Sequence, residues 1–179
     1  MDGLEFLKGI QLIPLDDSEY RKVGLSEEFI ANNKERYCNY KRNPNSTKDD
    51  TNGDPLVELL TEFDMRKLFI GMIEFNEGVK KLKDFWVFGR FEIDELAINT
   101  TSGEIVLIEE LTNKTLLYCA KNSSAFLEAL VFIGRFLEKR VVDDTLFEDE
   151  SINIAIAEKS AEIAGGNKYF NFYRTMVGV

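Results

Sequence analysis

The shortness of the connections between residues 84 and 137 constrains this chain more than any other feature. Four β-like runs follow one another there: Phe85-Trp86-Val87-Phe88-Gly89-Arg90-Phe91, Asp94-Glu95-Leu96-Ala97-Ile98-Asn99, Glu104-Ile105-Val106-Leu107-Ile108-Glu109 and Thr115-Leu116-Leu117-Tyr118-Cys119-Ala120. Thr100-Thr101-Ser102-Gly103 joins the second to the third, with glycine where a positive φ is cheap. Parallel neighbours need a long crossover, so strands linked this tightly must pair antiparallel. Lys121-Asn122-Ser123-Ser124 then leads into Phe126, Leu127, Leu130, Ile133, Gly134 and Leu137, whose spacing predicts a helix over 123–139 with one apolar face. The expected fold is α+β: a single domain over residues 1–179, with an antiparallel-dominated sheet of about four to six strands and helices packed on it. Its sheet-and-helix core spans 68–139, and C-terminal helices span 151–178.

Within this frame, residues 85–91 are apolar at nearly every position, which suits a central strand covered on both faces. Trp86 and Phe126 are expected in the core, and Gly89 marks a bulge or a close backbone approach. Residues 68–75 read as one buried strand, with Asn76-Glu77-Gly78 as a turn after it.

Toward the N-terminus, Leu4, Leu7 and Ile10 have helical spacing, broken by Pro14. Ser26 followed by Glu27 and Glu28 predicts an N-cap for a short helix that buries Phe29 and Ile30. Residues 37–55 are polar and turn-rich, and Leu56, Val57, Leu59, Leu60 and Phe63 form a short apolar segment. Lys34, Arg36, Lys41, Arg42 and Lys48 make this region locally basic. A solvated surface loop is the ordinary reading of such a stretch, and docking of an acidic partner is the alternative.

Toward the C-terminus, the run Asp143-Asp144-Thr145-Leu146-Phe147-Glu148-Asp149-Glu150 reads as a solvated acidic loop. Ile152, Ile156 and Ile163 mark a helix ending at Gly165-Gly166, and Tyr169, Phe170, Tyr173, Met176 and Val177 mark a last aromatic helix.

The chain carries 32 acids against 22 bases, a net charge of −10, which disfavours binding to nucleic-acid phosphate or anionic lipid. No histidine is present, which removes the usual general base and the commonest metal ligand. Neither Cys38 nor Cys119 has a neighbour at metal-ligand spacing, and no glycine-rich phosphate loop occurs. No cofactor or metal is expected, and both cysteines are expected as buried free thiols. Met1-Asp2-Gly3-Leu4-Glu5 lacks the basic start of a signal peptide, so a cytoplasmic location is expected. Glu92 and Asp94 alternate along a strand, which makes a carboxylate pair or a hard-cation site conceivable, although acids there also serve edge-strand solubility.

The stretches Asp84-Phe85-Trp86-Val87-Phe88-Gly89, Glu95-Leu96-Ala97-Ile98-Asn99, Gly103-Glu104-Ile105-Val106-Leu107 and Asn122-Ser123-Ser124-Ala125-Phe126-Leu127 together resemble the SUKH superfamily. Gly24-Leu25-Ser26-Glu27-Glu28-Phe29 looks like its N-terminal helix start, without the usual proline. Arg90-Phe91-Glu92 departs from the small residues often seen there.

The resemblance covers about half the chain and implies a bacterial immunity protein, not an enzyme. Such a protein binds and neutralises a cognate toxin, often a nuclease or other nucleic-acid-modifying enzyme. An adaptor of the same fold is the alternative, and a carboxylate-dependent hydrolase using Glu92 and Asp94 a third. On the immunity reading, two acidic clusters are candidates to meet a basic toxin. One is Glu92, Asp94 and Glu95 on the sheet; the other is Asp143, Asp144, Glu148, Asp149 and Glu150. The sheet cluster is favoured, because a rigid strand would hold its charges in a defined geometry.

Overall fold

The computed structural model describes residues 1–38, 40–43 and 53–179. Three helices, α1 (Gly3–Ile10), α2 (Asp17–Lys22) and α3 (Glu27–Cys38), lead to strand β1 (Lys41–Arg42). Helix α4 (Pro55–Glu62) then precedes β2 (Phe63–Asp64), which pairs with β1 in a small antiparallel ribbon. The main sheet follows as β3 (Phe69–Ile70), β4 (Ile73–Lys81), β5 (Phe85–Phe91), β6 (Asp94–Asn99), β7 (Ile105–Ile108) and β8 (Thr115–Ala120). Its spatial order equals its chain order and every pairing is antiparallel, as the short connections demand. Helices α5 (Ser123–Arg140), α6 (Thr145–Glu148), α7 (Glu150–Ala164) and α8 (Phe170–Val177) complete the α+β domain, with a 3-10 turn at Asn167–Tyr169.

One face of the sheet meets α5 and α8 in a continuous aromatic core. Phe88 packs edge-on against the fully buried Phe126 at 5.6 Å, and Phe126 and Phe91 both reach Phe172, at 6.3 and 5.4 Å. Asn122 caps α5 by accepting from the Ala125 amide at 2.9 Å. Asp54 caps α4, with Pro55 in its first turn, and also accepts from the Ser123 hydroxyl at 2.7 Å, pinning the starts of the two helices together. At Gly89 the β5–β6 register shifts, and a Cβ there would lie 2.4 Å from the Glu74 carbonyl oxygen; both readings of this glycine, bulge and close approach, are realised.

Several expectations need correction. Residues 68–75 are not one strand: Ile70 pairs with Ile73 across a tight turn at Gly71 (φ +58°) and Met72. Asn76-Glu77-Gly78 lies inside β4 as an irregularity in its pairing with β5, because the strand bends without ending. Strand β5 is buried on both faces, as its composition predicts, with Phe88 and Phe91 in the main core. On its other face Val87 joins Ala97, Val106 and Ile108 in a second, smaller buried cluster flanked by Leu82 and Phe85.

Trp86 is half-buried at the core margin, where the Lys81 ammonium lies 5.2 Å from its ring. In α1 the buried positions are Phe6, Leu7 and Ile10 while Leu4 is exposed, and in α3 Ile30 is buried while Phe29 is partly exposed. The helix α7, packed against α5 and α8, buries Asn153, Ala157, Ser160, Ala161 and Ala164, with Ile156 and Ile163 partly buried against the core and Ile152 exposed. Cys38 is exposed, Cys119 is buried and both are free, with burial pushing the Cys119 thiol up. Among the described residues, no helix is long and apolar enough to cross a membrane.

Candidate partner-binding surface

The acidic run after α5 is not an open loop. Asp143 accepts from the Thr145 amide and hydroxyl at 3.1 and 2.6 Å, at the start of the single turn α6. Asp149 caps α7 through the Ile152 amide at 3.0 Å, and bonds from Ser151 and Ile152 hold its carboxyl below the usual range. Glu150 lies in the first turn of α7, where the helix dipole favours an acid. Asp144 precedes α6 without a side-chain cap bond, and Glu148 is exposed. The local spacing of acids around Thr145 and Ser151 therefore writes two helix starts into what reads as a charge run.

The sheet trio is divided by the fold. Phe91 pairs with Asp94, so Glu92 and Ile93 form a tight two-residue turn, with Glu92 at φ +55° and Ile93 exposed. Glu92 is solvent-facing, Asp94 starts β6, and Glu95 is a half-buried strand residue 3.5 Å from Lys80. Glu92 and Asp94 do not alternate along one strand face, the geometry that a carboxylate pair and a rigid strand cluster both assumed. A two-residue hairpin separates them because Phe91 and Asp94 close the ladder. Among the described residues, no group of three or more Cys, Asp or Glu is placed to hold a metal ion.

What the fold does bring together is the Glu92 turn and the Asp143–Glu150 segment. The Glu92 amide donates to the Met72 carbonyl at 3.4 Å, so the β5–β6 turn lies against the β3–β4 turn. Met72 in turn lines a groove of about 360 Å³ with Leu137, Arg140, Val141, Phe147, Thr175, Met176 and Val177. Phe147 is 67% exposed, Met72 44% and Val141 38%, so apolar surface opens to solvent between the two acidic segments. The Arg140 guanidinium lies 4.3 Å from the Phe147 ring and donates to the Val177 carbonyl at 3.0 Å, and burial lowers its pKa. Exposed Arg135, Lys139 and Arg174 are the other cations on α5 and α8, and Arg174 donates to the Val179 carbonyl at 2.7 Å.

Sequence reasoning missed Met72, Arg140, Val141 and Phe147. The available signal was Phe147 itself, a large aromatic set among acids where a solvated loop has no use for one. In the locally basic region Lys34 pairs with Asp17, Arg36 with Glu138 and Arg42 with Glu62, Lys41 lies opposite Asp64 in the β1–β2 ladder, and Lys48 lies outside the described residues. Searches of protein-family models, curated proteins and solved structures find no match to this chain.

Proposed function

We propose that this protein is an immunity protein, acting in the cytoplasm, that binds a cognate toxin one-to-one and blocks it without chemistry of its own. The observation that carries the reading is the solvent-open apolar groove at Met72, Val141 and Phe147, whose Met72 carbonyl accepts from the Glu92 amide and whose Val141 and Phe147 stand close in the chain to Asp143, Asp144 and Glu148. Protein interfaces of this kind combine an apolar centre with a charged rim. A toxin acting on nucleic acid presents a basic substrate channel, to which an acidic surface is steered and which it can then occlude. The SUKH-like segments support the same reading, since they lie in the sheet and the start of α5, which hold the β3–β4 and β5–β6 turns in place.

The test begins with the genes beside the one for this chain: the reading expects a toxin domain encoded there, and that domain is the partner to purify. Calorimetry should give one-to-one binding, and co-expression should restore growth to cells making the toxin. Association should slow steeply between ~0.05 and ~0.5 M salt as the Debye length shrinks from about 14 to about 4 Å, while dissociation responds much less. Changing Glu92, Asp144 and Glu148 together to Gln, Asn and Gln should slow association and weaken protection. A chain that neither binds nor protects would overturn the reading; binding without protection would favour the adaptor alternative.

A further inference from the structure

We infer that Arg140 makes the groove beside Phe147 a receptor for one carboxylate, carried next to an apolar group on the surface of the partner protein; this rests on the immunity reading. Arg140 is the one charged side chain in the groove lining. Among the other arginines, Arg21, Arg36, Arg42 and Arg66 each pair with a carboxylate, and Arg90, Arg135 and Arg174 are exposed. Arg140 alone is partly withdrawn from water with no acid at ion-pair distance among the described residues. Burial is the single cause that shifts its pKa, downward, as expected of a cation that loses water without gaining a counter-charge.

A guanidinium donates from every one of its nitrogens, yet within the described residues Arg140 donates only from Nη1, to the Val177 carbonyl at 3.0 Å. Among those residues the unpartnered polar atoms shut away from water belong to Asp17, Arg36, Asn153 and Tyr173, so the free Nε and Nη2 donors of Arg140 stay reachable. The Phe147 ring at 4.3 Å and the Val177 carbonyl restrain the head group, and a ligand meets a fork already in place. The other polar side chain of the lining, Thr175, already donates its hydroxyl to the Asn171 carbonyl, so Arg140 sets the polarity of what binds. An ionised carboxylate matches the fork with two parallel acceptors, and one guanidinium balances its single charge. A doubly charged phosphate would stay half-neutralised beside Met72, Val141 and Phe147, which favours the monoanion.

Exposure decides how that carboxylate arrives. Phe147 is 67% exposed and Met72 44%, so these walls would leave a free small molecule largely in water, whereas small-molecule sites bury roughly 70–90% of their ligand. A protein surface brings the missing cover itself: an Asp or Glu enters the fork while an apolar neighbour lies on Phe147, Met72 and Val141. Asp143, Asp144 and Glu148, close in the chain to Val141 and Phe147, draw a basic surface in, and a lone acid on that surface then sets the register. A related toxin with a neutral or basic residue at that point leaves Arg140 desolvated and unpaired, so this one contact separates cognate from non-cognate partners.

Phenylacetate, which joins a carboxylate to an aromatic group, probes the site without the toxin. Titrated into the full-length chain to ~50 mM, enough to fill most of a site of millimolar Kd, it should shift the Met72 and Met176 methyls and the Arg140 Nε–H in NMR spectra and leave the buried Met65 in place. Neutral phenylacetamide should shift them far less. Both probes are compared on the unsubstituted chain, so this arm does not depend on how a variant folds. Against the toxin domain, Arg140→Gln should speed dissociation about tenfold or more, with Arg140→Lys, which keeps the charge but not the fork, in between. No shift with phenylacetate, an equal shift with the amide, or wild-type dissociation of Arg140→Gln would overturn the carboxylate site and leave the immunity reading standing. If the Met72 and Met176 methyls shift with protein concentration alone, the carboxylate comes from a second copy and the inference fails. Absence of any toxin binding would remove the immunity reading and, with it, the partner inferred here.

Discussion

Glu138 and the acids that follow it are five to twelve residues apart on the chain, and the fold treats them in opposite ways. Glu138, near the end of α5, is 1% exposed. It accepts from the Tyr20 hydroxyl at 2.6 Å, the Asn33 amide, the Tyr37 hydroxyl at 3.3 Å and the Arg36 guanidinium at 3.3 Å. The Tyr20 hydroxyl in turn accepts from the Leu15 amide, and burial followed by the Glu138 bond pushes its phenol up. One carboxylate thus gathers α2 and α3 onto α5. The Asp143–Glu150 acids spend their bonds locally on helix starts or stay in water. A buried carboxylate must be satisfied from all sides and so organises what surrounds it, whereas a solvated one is left available to a partner.

The sharpest way to break this contrast is to remove the buried acid. Glu138→Ala should destabilise by about 3–5 kcal/mol in denaturant melts, because Arg36 and two phenols lose their common partner. Phe126→Ala, an apolar benchmark on the same helix, should cost a similar ~3–5 kcal/mol. A Glu138→Ala variant within about 1 kcal/mol of wild type would mean that the cluster organises little.

Among the later acids, Asp149→Ala should cost about 1 kcal/mol through loss of the α7 cap. The combined change of Glu92, Asp144 and Glu148 to amides should move stability by no more than about 0.5 kcal/mol per site, and a larger loss would show that the rim is structural.

The smallest effect concerns the half-exposed Asp64, whose carboxyl the Arg66 fork at 2.8 and 2.9 Å pulls down to about 2. The unfolded chain binds its proton near 3.8, so this contribution is present above that pH and is lost as pH falls toward 2. Asp64→Asn should flatten the acid end of a denaturant-midpoint profile slightly, and an unchanged profile would show that the pair contributes nothing there.

The sequence by itself determined strands β5 to β8 and the main helix α5. Four runs joined by tight turns can only pair with their neighbours, and the period of 123–139 can only lay Phe126, Leu130 and Ile133 on one side. Gly89 and the Gly165–Gly166 helix stop were equally legible, since a Cβ at Gly89 would lie 2.4 Å from the Glu74 carbonyl oxygen and a φ of +126° at Gly165 excludes most other residues.

Local pattern failed where a neighbour distant in sequence chose the outcome. Ile152, Ile156 and Ile163 mark α7 correctly, but its most deeply buried positions are Ala157, Ser160, Ala161 and Ala164. The Glu92–Asp94 strand face became a hairpin turn because the ladder closes at Phe91 and Asp94. No local signal placed Glu138 against residues more than a hundred positions earlier, or Met72 beside Phe147. Both juxtapositions bring residues far apart in sequence into contact. Periodicity says which face of an element is apolar, but only the packed fold decides which other element that face, or the charge beside it, will meet.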